Sequence, residues 1–225
     1  GRAVTLPYVC SSFLDVGHDL TRRALDPRSW YFFRGTLFRR YGARSELIEL
    51  GKEVTGADFE GVKLPKGPTP DVLNATAAAM FRSSICPCPQ GDAPTSGRLF
   101  ESLAAGCVPV KISPQHVMVD DLPFPSLIDW DSIALFSHPF DLLSARSDGV
   151  KRLARVLEHT AGPNSSATHK ARIDRMREAG VKAFYDHMSY FRNPRGVVSS
   201  FLLESWVLLQ KHGVIDGPYA DDTPK

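Results

Sequence analysis

Apolar residues in this chain fall into short dense runs, and between them lie stretches with helical spacing. AVTLPYV, close to the start, has the make-up of a short strand, and SWYFFRG, residues 29–35, is an aromatic run of the length and type of a buried strand. Helical spacing follows in ARSELIELGKEV, where Leu47, Ile48 and Leu50 share a face. A loop rich in Gly and Pro separates it from TPDVLNATAAAMFRSS, which Pro70-Asp71 opens as a helix. SSICPCPQGDAPTSGRLFESLAAGCVPVKIS, residues 83–113, reads as a buried strand, a polar glycine-bearing loop, a short helix and a second buried strand. SIALFS, residues 132–137, predicts another strand, and SDGVKRLARVLEHT places Val150, Leu153 and Leu157 on one helical face. Beyond the loop AGPNSSATHK the pattern predicts a charged helix from Lys170 to Phe191 and a last helix around GVVSSFLLESWVLLQKH.

Strands separated by helices favour parallel crossovers, because a parallel pair needs a helix-sized connection. The predicted fold is therefore α/β, a Rossmann-like parallel sheet with flanking helices. The expected organisation is a lobe over residues 1–165, C-terminal helices over 166–212 and a frayed tail over 213–225. In the last helix Val198, Phe201, Leu202, Trp206, Leu208 and Leu209 cover a wide face, which suits burial against this lobe or against a second one.

Composition narrows the partners. A formal charge of +2, from 27 basic and 25 acidic residues spread along the chain, leaves no basic stripe of the kind that binds nucleic acid. No apolar run approaches the length of a membrane span. The start, GRAVTLPYVC, has neither an initiator methionine nor a signal-peptide layout, so the chain is expected to begin within a longer one. Cys10, Cys86, Cys88 and Cys107 leave the redox state open: Cys86 or Cys88 can approach Cys107 across neighbouring strands, and buried free thiols fit equally well. Asn74-Ala-Thr and Asn164-Ser-Ser match the N-glycosylation acceptor pattern and point to a secretory compartment.

The chemistry concentrates in residues 95–107. A helix from Gly97 to Ala105 turns Phe100, Leu103, Ala104 and Cys107 to the core and leaves Arg98 and Glu101 together on the other flank. Thr95 or Ser96 can cap its start, and Gly106 its end. A helix that begins where a parallel strand ends sits at the ligand crevice of an open α/β sheet. Its free N–H groups, its dipole and the Arg98 cation suit a phosphate or diphosphate, and Glu101 can accept from two ribose hydroxyls. The competing reading of the same spacing is a surface ion pair between Arg98 and Glu101.

MFRSSICPCPQGDAPTSGRLFESLAAGCVPVKIS followed by LPFPSLIDWDSIALF resembles the C-terminal half of the exostosin-like glycosyltransferases, glycosyltransferase family 47. The resemblance rests on the Pro-x-Gly-Asp loop, Ser-x-Arg-x-x-Glu, Gly-Cys-x-Pro-Val and the later Leu-Pro-Phe with Asp-Trp, and LPYV and WYFFRGT…GARSEL extend it to residues 3–140. It implies the C-terminal lobe of an inverting GT-B transferase that binds a nucleotide-diphosphate sugar, a UDP-sugar first, and passes the sugar to a glycan or glycoprotein hydroxyl in the Golgi lumen. It implies no obligatory metal or cofactor, and a partner lobe or subunit for the acceptor. Carried over by position, Arg98 contacts the diphosphate, Glu101 the ribose, Ser96 and Gly91 line the donor loop, Gly35 admits the donor to the backbone and Arg44 is a second phosphate ligand. The loop RGTLFRRYGAR lacks the paired glycines usual before that arginine, and no catalytic base is assigned.

Two rival motifs point elsewhere. Asp129-Trp-Asp131 imitates the Asp-x-Asp that holds a divalent cation and a diphosphate. Gly91-Asp-Ala-Pro-Thr-Ser-Gly97-Arg98 imitates a phosphate-binding P-loop, but it is one residue too long and lacks the Lys-Ser/Thr ending. Against the enzyme reading stands a non-catalytic structural or interaction subunit that keeps the fold. Retention of Arg98 and Glu101 favours the enzyme.

Overall fold

The computed structural model of the chain describes residues 4–10, 30–37, 42–62, 68–91, 95–113, 121–137, 155, 157–159, 162 and 164–215. The elements are β1 (Tyr31–Thr36), α1 (Gly42–Glu53), β2 (Ala57–Val62), α2 (Pro70–Arg82), β3 (Ile85–Pro89), α3 (Gly97–Ala105), β4 (Val108–Ile112), β5 (Leu135–Ser137), α4 (Ala167–Ala183) and α5 (Pro194–Lys211). A 3-10 turn, Trp130–Ser132, precedes β5, and a π-helical turn, Phe184–Met188, continues α4.

The strands form a five-stranded sheet in the order β2-β1-β3-β4-β5, and every pairing is parallel. Side-chain alternation along the strands divides the core into two layers. Tyr31 and Phe33 of β1, Ile85 of β3 and Val108, Val110 and Ile112 of β4 pack with Leu47 and Leu50 of α1, with Leu157, and with Ile173 and Met176 of α4. Phe32, Cys86 and Cys88 face the other way, onto Met80 of α2, Leu99, Phe100 and Leu103 of α3, and Phe184, Tyr185 and Met188 of the π turn. The two layers make this a doubly wound α/β sheet, as the alternation of strand and helix predicts.

The order also locates a crevice. From β1 the chain moves outward to β2, then crosses back to β3 on the opposite side of β1, so the loops leaving β1 and β3 diverge at the carboxyl edge. β1 pairs with β2 along its whole length, from Tyr31 to Thr36, but with β3 only at Tyr31↔Ile85. The second half of β1 therefore has an open flank toward β3.

Several elements differ from expectation. Residues 4–10 form no strand: Pro7 has no N–H to give a ladder, is buried, and its carbonyl accepts from the Tyr190 hydroxyl at 3.1 Å. Tyr8 packs on Phe100, ring centroids 5.8 Å apart, so the segment covers α3 instead of extending the sheet. β2 lies in what reads as loop, because an edge strand carrying Asp58, Glu60 and Gly61 lacks a dense apolar run. The strand expected over 132–137 is confined to Leu135–Ser137, and the long charged helix ends at Met188, short of Phe191. Leu157 is helical and buried, while Val150 and Leu153 fall outside the described residues.

α5 bears on the two alternatives left open for its apolar face. Its buried residues are Val197, which joins the core, Ser200, which takes part in a 2.9 Å hydrogen bond with His187 Nδ1, and Glu204, which accepts from the Ser126 amide and hydroxyl, each at 3.0 Å. Val198, Phe201, Leu202, Trp206 and Leu209 are exposed, so the apolar face is not buried against this lobe.

Candidate functional site

Local chemistry places α3 firmly. Gly106 adopts φ 69°, a left-handed conformation that suits glycine, and its amide donates to the Leu103 and Ser102 carbonyls to close the helix. The Gly106 carbonyl in turn accepts from Arg177 Nε of α4 at 2.7 Å. Cys86 and Cys107 form a disulfide, Cα atoms 5.8 Å apart, that joins β3 to the chain entering β4 and closes the strand-helix-strand unit covalently. This resolves the cysteine alternatives left open by the sequence. Cys88 remains a buried thiol that donates to the Cys86 carbonyl, and burial pushes its pKa up to about 12.

The start of α3 is different from its end. Ser96 is the N-cap, with φ −98° and ψ 150°, yet its hydroxyl makes no capping bond. Among the described residues Ser96 Oγ is a buried polar atom without a hydrogen-bond partner. Thr95, the other candidate cap, is turned away: it donates to Asp121. The amides of the first turn thus open toward a cleft of about 330 Å³.

That cleft occupies the switch point between β1 and β3. Gly35, Arg44, Ser96, Arg98 and Glu101 all line it. Gly91 joins them through Arg44, because a Cβ at Gly91 would lie 3.3 Å from Arg44 Nη2. The guanidinium groups occupy the open flank of β1. Arg44 Nη1 donates to the Thr36 carbonyl at 2.8 Å and Arg98 Nη2 to the Arg34 carbonyl at 3.3 Å. Carbonyls at 34 and 36 point to the same side of a strand, so two arginines take the places a neighbouring strand would fill. Arg98 Nη1 also pairs with Glu101 Oε2 at 2.8 Å, with about a quarter of each side chain exposed. The ion pair of the competing reading is formed, but it lies in the cleft and not on an open surface.

Sequence reasoning missed part of the site. Arg34, a cleft residue at the end of β1, bonds Glu60 at 2.7 Å and Thr76 at 3.3 Å and lies over the Phe32 ring at 5.5 Å. Its signal was present, since a charged residue closing the aromatic run YFFRG sits at the carboxyl end of a strand, where crevices form. Val72, Leu73 and Thr76 of α2 supply a facing wall that no motif marks. Behind α3 stands another unforeseen group: Lys111 of β4, 1% exposed, donates to Asp121 at 2.7 Å and to Ser113 at 3.1 Å. Burial pushes the Lys111 pKa down and Asp121 opposes that shift.

Of the two rival motifs, the P-loop-like run ends in the cleft at Ser96, Gly97 and Arg98, whereas Asp129-Trp-Asp131 leads away from it. Asp129 and Asp131 are exposed and precede β5, at the amino edge of the sheet, whereas the cleft is at the carboxyl edge. Among the described residues no group of His, Cys, Asp and Glu side chains is arranged to hold a metal ion. No helix among them is long and apolar enough to cross a membrane.

A doubly wound parallel sheet whose switch point gathers arginines, helix-start amides and a carboxylate defines a Rossmann-like lobe of the GT-B type. The exostosin GT47 domain model matches residues 2–149, and the chain belongs to that family. Among similar proteins, a probable glucuronoxylan glucuronosyltransferase of Arabidopsis thaliana, IRX7, is 40% identical over 91 residues, which are 40% of this chain and 17% of the relative. A probable glucuronosyltransferase of Oryza sativa subsp. japonica is 40% identical over 143 residues, 58% of this chain and 31% of that protein. Another from the same rice is 47% identical over 94 residues, 42% of this chain and 19% of the relative. The chain thus spans between about a sixth and a third of the length of these relatives.

Proposed function

We propose that this chain is the donor-binding lobe of an inverting, metal-independent glycosyltransferase that takes a UDP-sugar and delivers the sugar to a glycan or glycoprotein hydroxyl. The observation that carries this reading is the meeting of Arg44, Ser96, Arg98 and Glu101 at the switch-point cleft. Arg98 and Arg44 take the diphosphate oxygens, together with the first-turn amides of α3 and the Ser96 hydroxyl, whose oxygen has no other partner among the described residues. Glu101, one turn along, accepts from the ribose hydroxyls, while Gly35 and Gly91 keep the cleft walls low. Departure of the sugar leaves extra charge on the diphosphate, and fixed cations and amides in a half-buried cleft stabilise it without a metal ion. Ligand binding would draw Arg98 between Glu101 and the phosphate, replacing a pair worth on the order of 0.5 kcal/mol.

Similarity to probable glucuronosyltransferases supports a uronic acid as the transferred sugar. The Cys86–Cys107 disulfide, with Asn74 and Asn164 exposed in acceptor patterns, supports the oxidising lumen of the Golgi. The exposed apolar face of α5 is the surface we assign to the acceptor-side lobe, which would bring the catalytic base. That face also favours a second reading, a lobe kept as an interaction subunit with an idle donor site.

Equilibrium dialysis against UDP-glucuronic acid, UDP-xylose and UDP-galactose, with EDTA present, tests the reading. Saturable binding of at least one, competed by UDP, is the expected result. Retention of none would leave the interaction subunit as the better account.

A further inference from the structure

The Lys111 cluster lies outside the cleft, and nothing in the donor roles above uses it. A lysine buried to 1% exposure in a strand whose other residues are apolar is costly, because its ammonium must be desolvated. Replacing such a pair with apolar residues is often neutral for stability, so the group calls for another reason. Its connections supply one. Lys111 Nζ donates to Asp121 Oδ1 at 2.7 Å, and Thr95 Oγ1 donates to the other oxygen, Asp121 Oδ2. Thr95 is itself buried and is followed directly by Ser96, the first residue of the α3 cap. At the other end of the same loop the Gln90 amide donates to the Ile112 carbonyl, next to Lys111, at 3.0 Å. Both ends of the segment that carries Gly91 and Ser96 are thus tied to β4.

We infer that the chain Lys111–Asp121–Thr95 is a positioning brace for the donor site, holding the entry to α3 so that its first-turn amides, Ser96 and Arg98 face the cleft. The inference rests on the donor-lobe reading for its purpose, while the brace itself is a statement about the α3 start. Asp121 accepts from Thr95, so Thr95 spends its hydroxyl on the brace and leaves the capping position to Ser96, whose oxygen stays available to a ligand. Lys111 fixes where that carboxylate stands relative to the sheet. None of the three touches the donor in this account.

The test uses the full chain, with UDP as the probe, in wild type and in Thr95→Val, Thr95→Ser and Lys111→Met. Thr95→Val removes the hydroxyl and Lys111→Met removes the ammonium while keeping the length. Each is expected to weaken UDP binding about tenfold, the scale of one hydrogen bond to a charged group. Thr95→Ser should bind like wild type, while Lys111→Met, which leaves the Asp121 carboxylate without its ammonium, should also melt lower. A purely structural lysine would give the lower melting temperature with unchanged affinity. Equal affinity in all four proteins would overturn the brace. Hydrogen exchange separates the two ideas: the Leu99 amide donates to the Ser96 carbonyl at 3.1 Å, and it should exchange faster in Thr95→Val. If wild type fails to bind UDP, the donor reading falls, and unchanged Leu99 exchange in Thr95→Val would remove the brace as well.

Discussion

Phe124 and Trp130 belong to the Leu-Pro-Phe and Asp-Trp signature that helped to mark the family, and both turn out to be structural. Phe124 is fully buried at φ 52°, a conformation unfavourable for a large side chain by on the order of 1 kcal/mol or more, and its carbonyl accepts from the Leu127 and Ile128 amides. Trp130 is buried and its indole N–H donates to the Pro123 carbonyl at 2.9 Å. Trp130→Phe should therefore lower unfolding stability by about 1 kcal/mol in urea titrations, since it keeps most of the packing and orphans one carbonyl. In the neighbouring turn the Asp129 carbonyl accepts from the Ser132 hydroxyl at 2.7 Å. Cys88 gives another residue-scale outcome. Its thiol is held neutral by burial, with a pKa pushed up to about 12, so iodoacetamide should leave it unmodified at neutral pH until the protein is unfolded. At this scale helical spacing in the sequence separates Arg98 and Glu101 from the core face of α3, and the structure places both in the cleft. The sequence did not show Arg34, Lys111 or Asp121, whose partners lie on other elements.

Elements were legible where one periodicity dominated. β1, α1, α2 and the β3-α3-β4 unit follow their hydrophobic patterns, whereas β2 is an edge strand with charges and the residues around Pro7 resemble a strand without pairing as one. The apolar stripe of α5 left burial against this lobe or against a second one open, and the structure turns Val197, Ser200 and Glu204 toward this lobe instead of the stripe. Glu204→Ala should cost about 2 kcal/mol in stability by losing two hydrogen bonds to a carboxylate. Phe201→Ser and Trp206→Ser should leave the melting temperature of this chain within a degree or two, and a large drop in either would contradict the outward orientation. The disulfide acts at the same scale: Cys86→Ala with Cys107→Ala opens a link spanning 21 residues and should cost about 3 kcal/mol.

The π turn and α5 also carry a pH dependence. Burial pushes the His187 imidazole below its ordinary value of 6.5, Lys182 acts the same way and Asp186 opposes them. The unfolded chain then binds the proton more readily than the folded one just below that value, so stability is present at neutral pH and declines on acidification. His187→Asn should flatten that part of a stability profile measured by urea unfolding.

For the whole molecule, strand order decides where chemistry can happen. Alternation of strand and helix along the chain was enough to expect a parallel sheet, but not the order β2-β1-β3-β4-β5, which depends on which strands pair. Given that order, the crevice follows, and with it the meeting of Arg44 on α1 with Ser96, Arg98 and Glu101 on α3, residues more than fifty positions apart. The disulfide, the Arg177 bond to Gly106 and the Lys111 brace all bear on the β3-α3-β4 unit, which forms one side of this crevice. Such support is what a preorganised anion site requires, since donors fixed beforehand need no rearrangement when charge develops.

Calorimetric titration of the chain with UDP, without added metal, tests the central claim most directly when run beside Arg98→Ala and Glu101→Ala. The account predicts saturable binding to wild type at a single site, weakened at least tenfold in each variant, with all three proteins melting alike. No heat of binding from folded wild type, or equal affinity in the two variants, would contradict it.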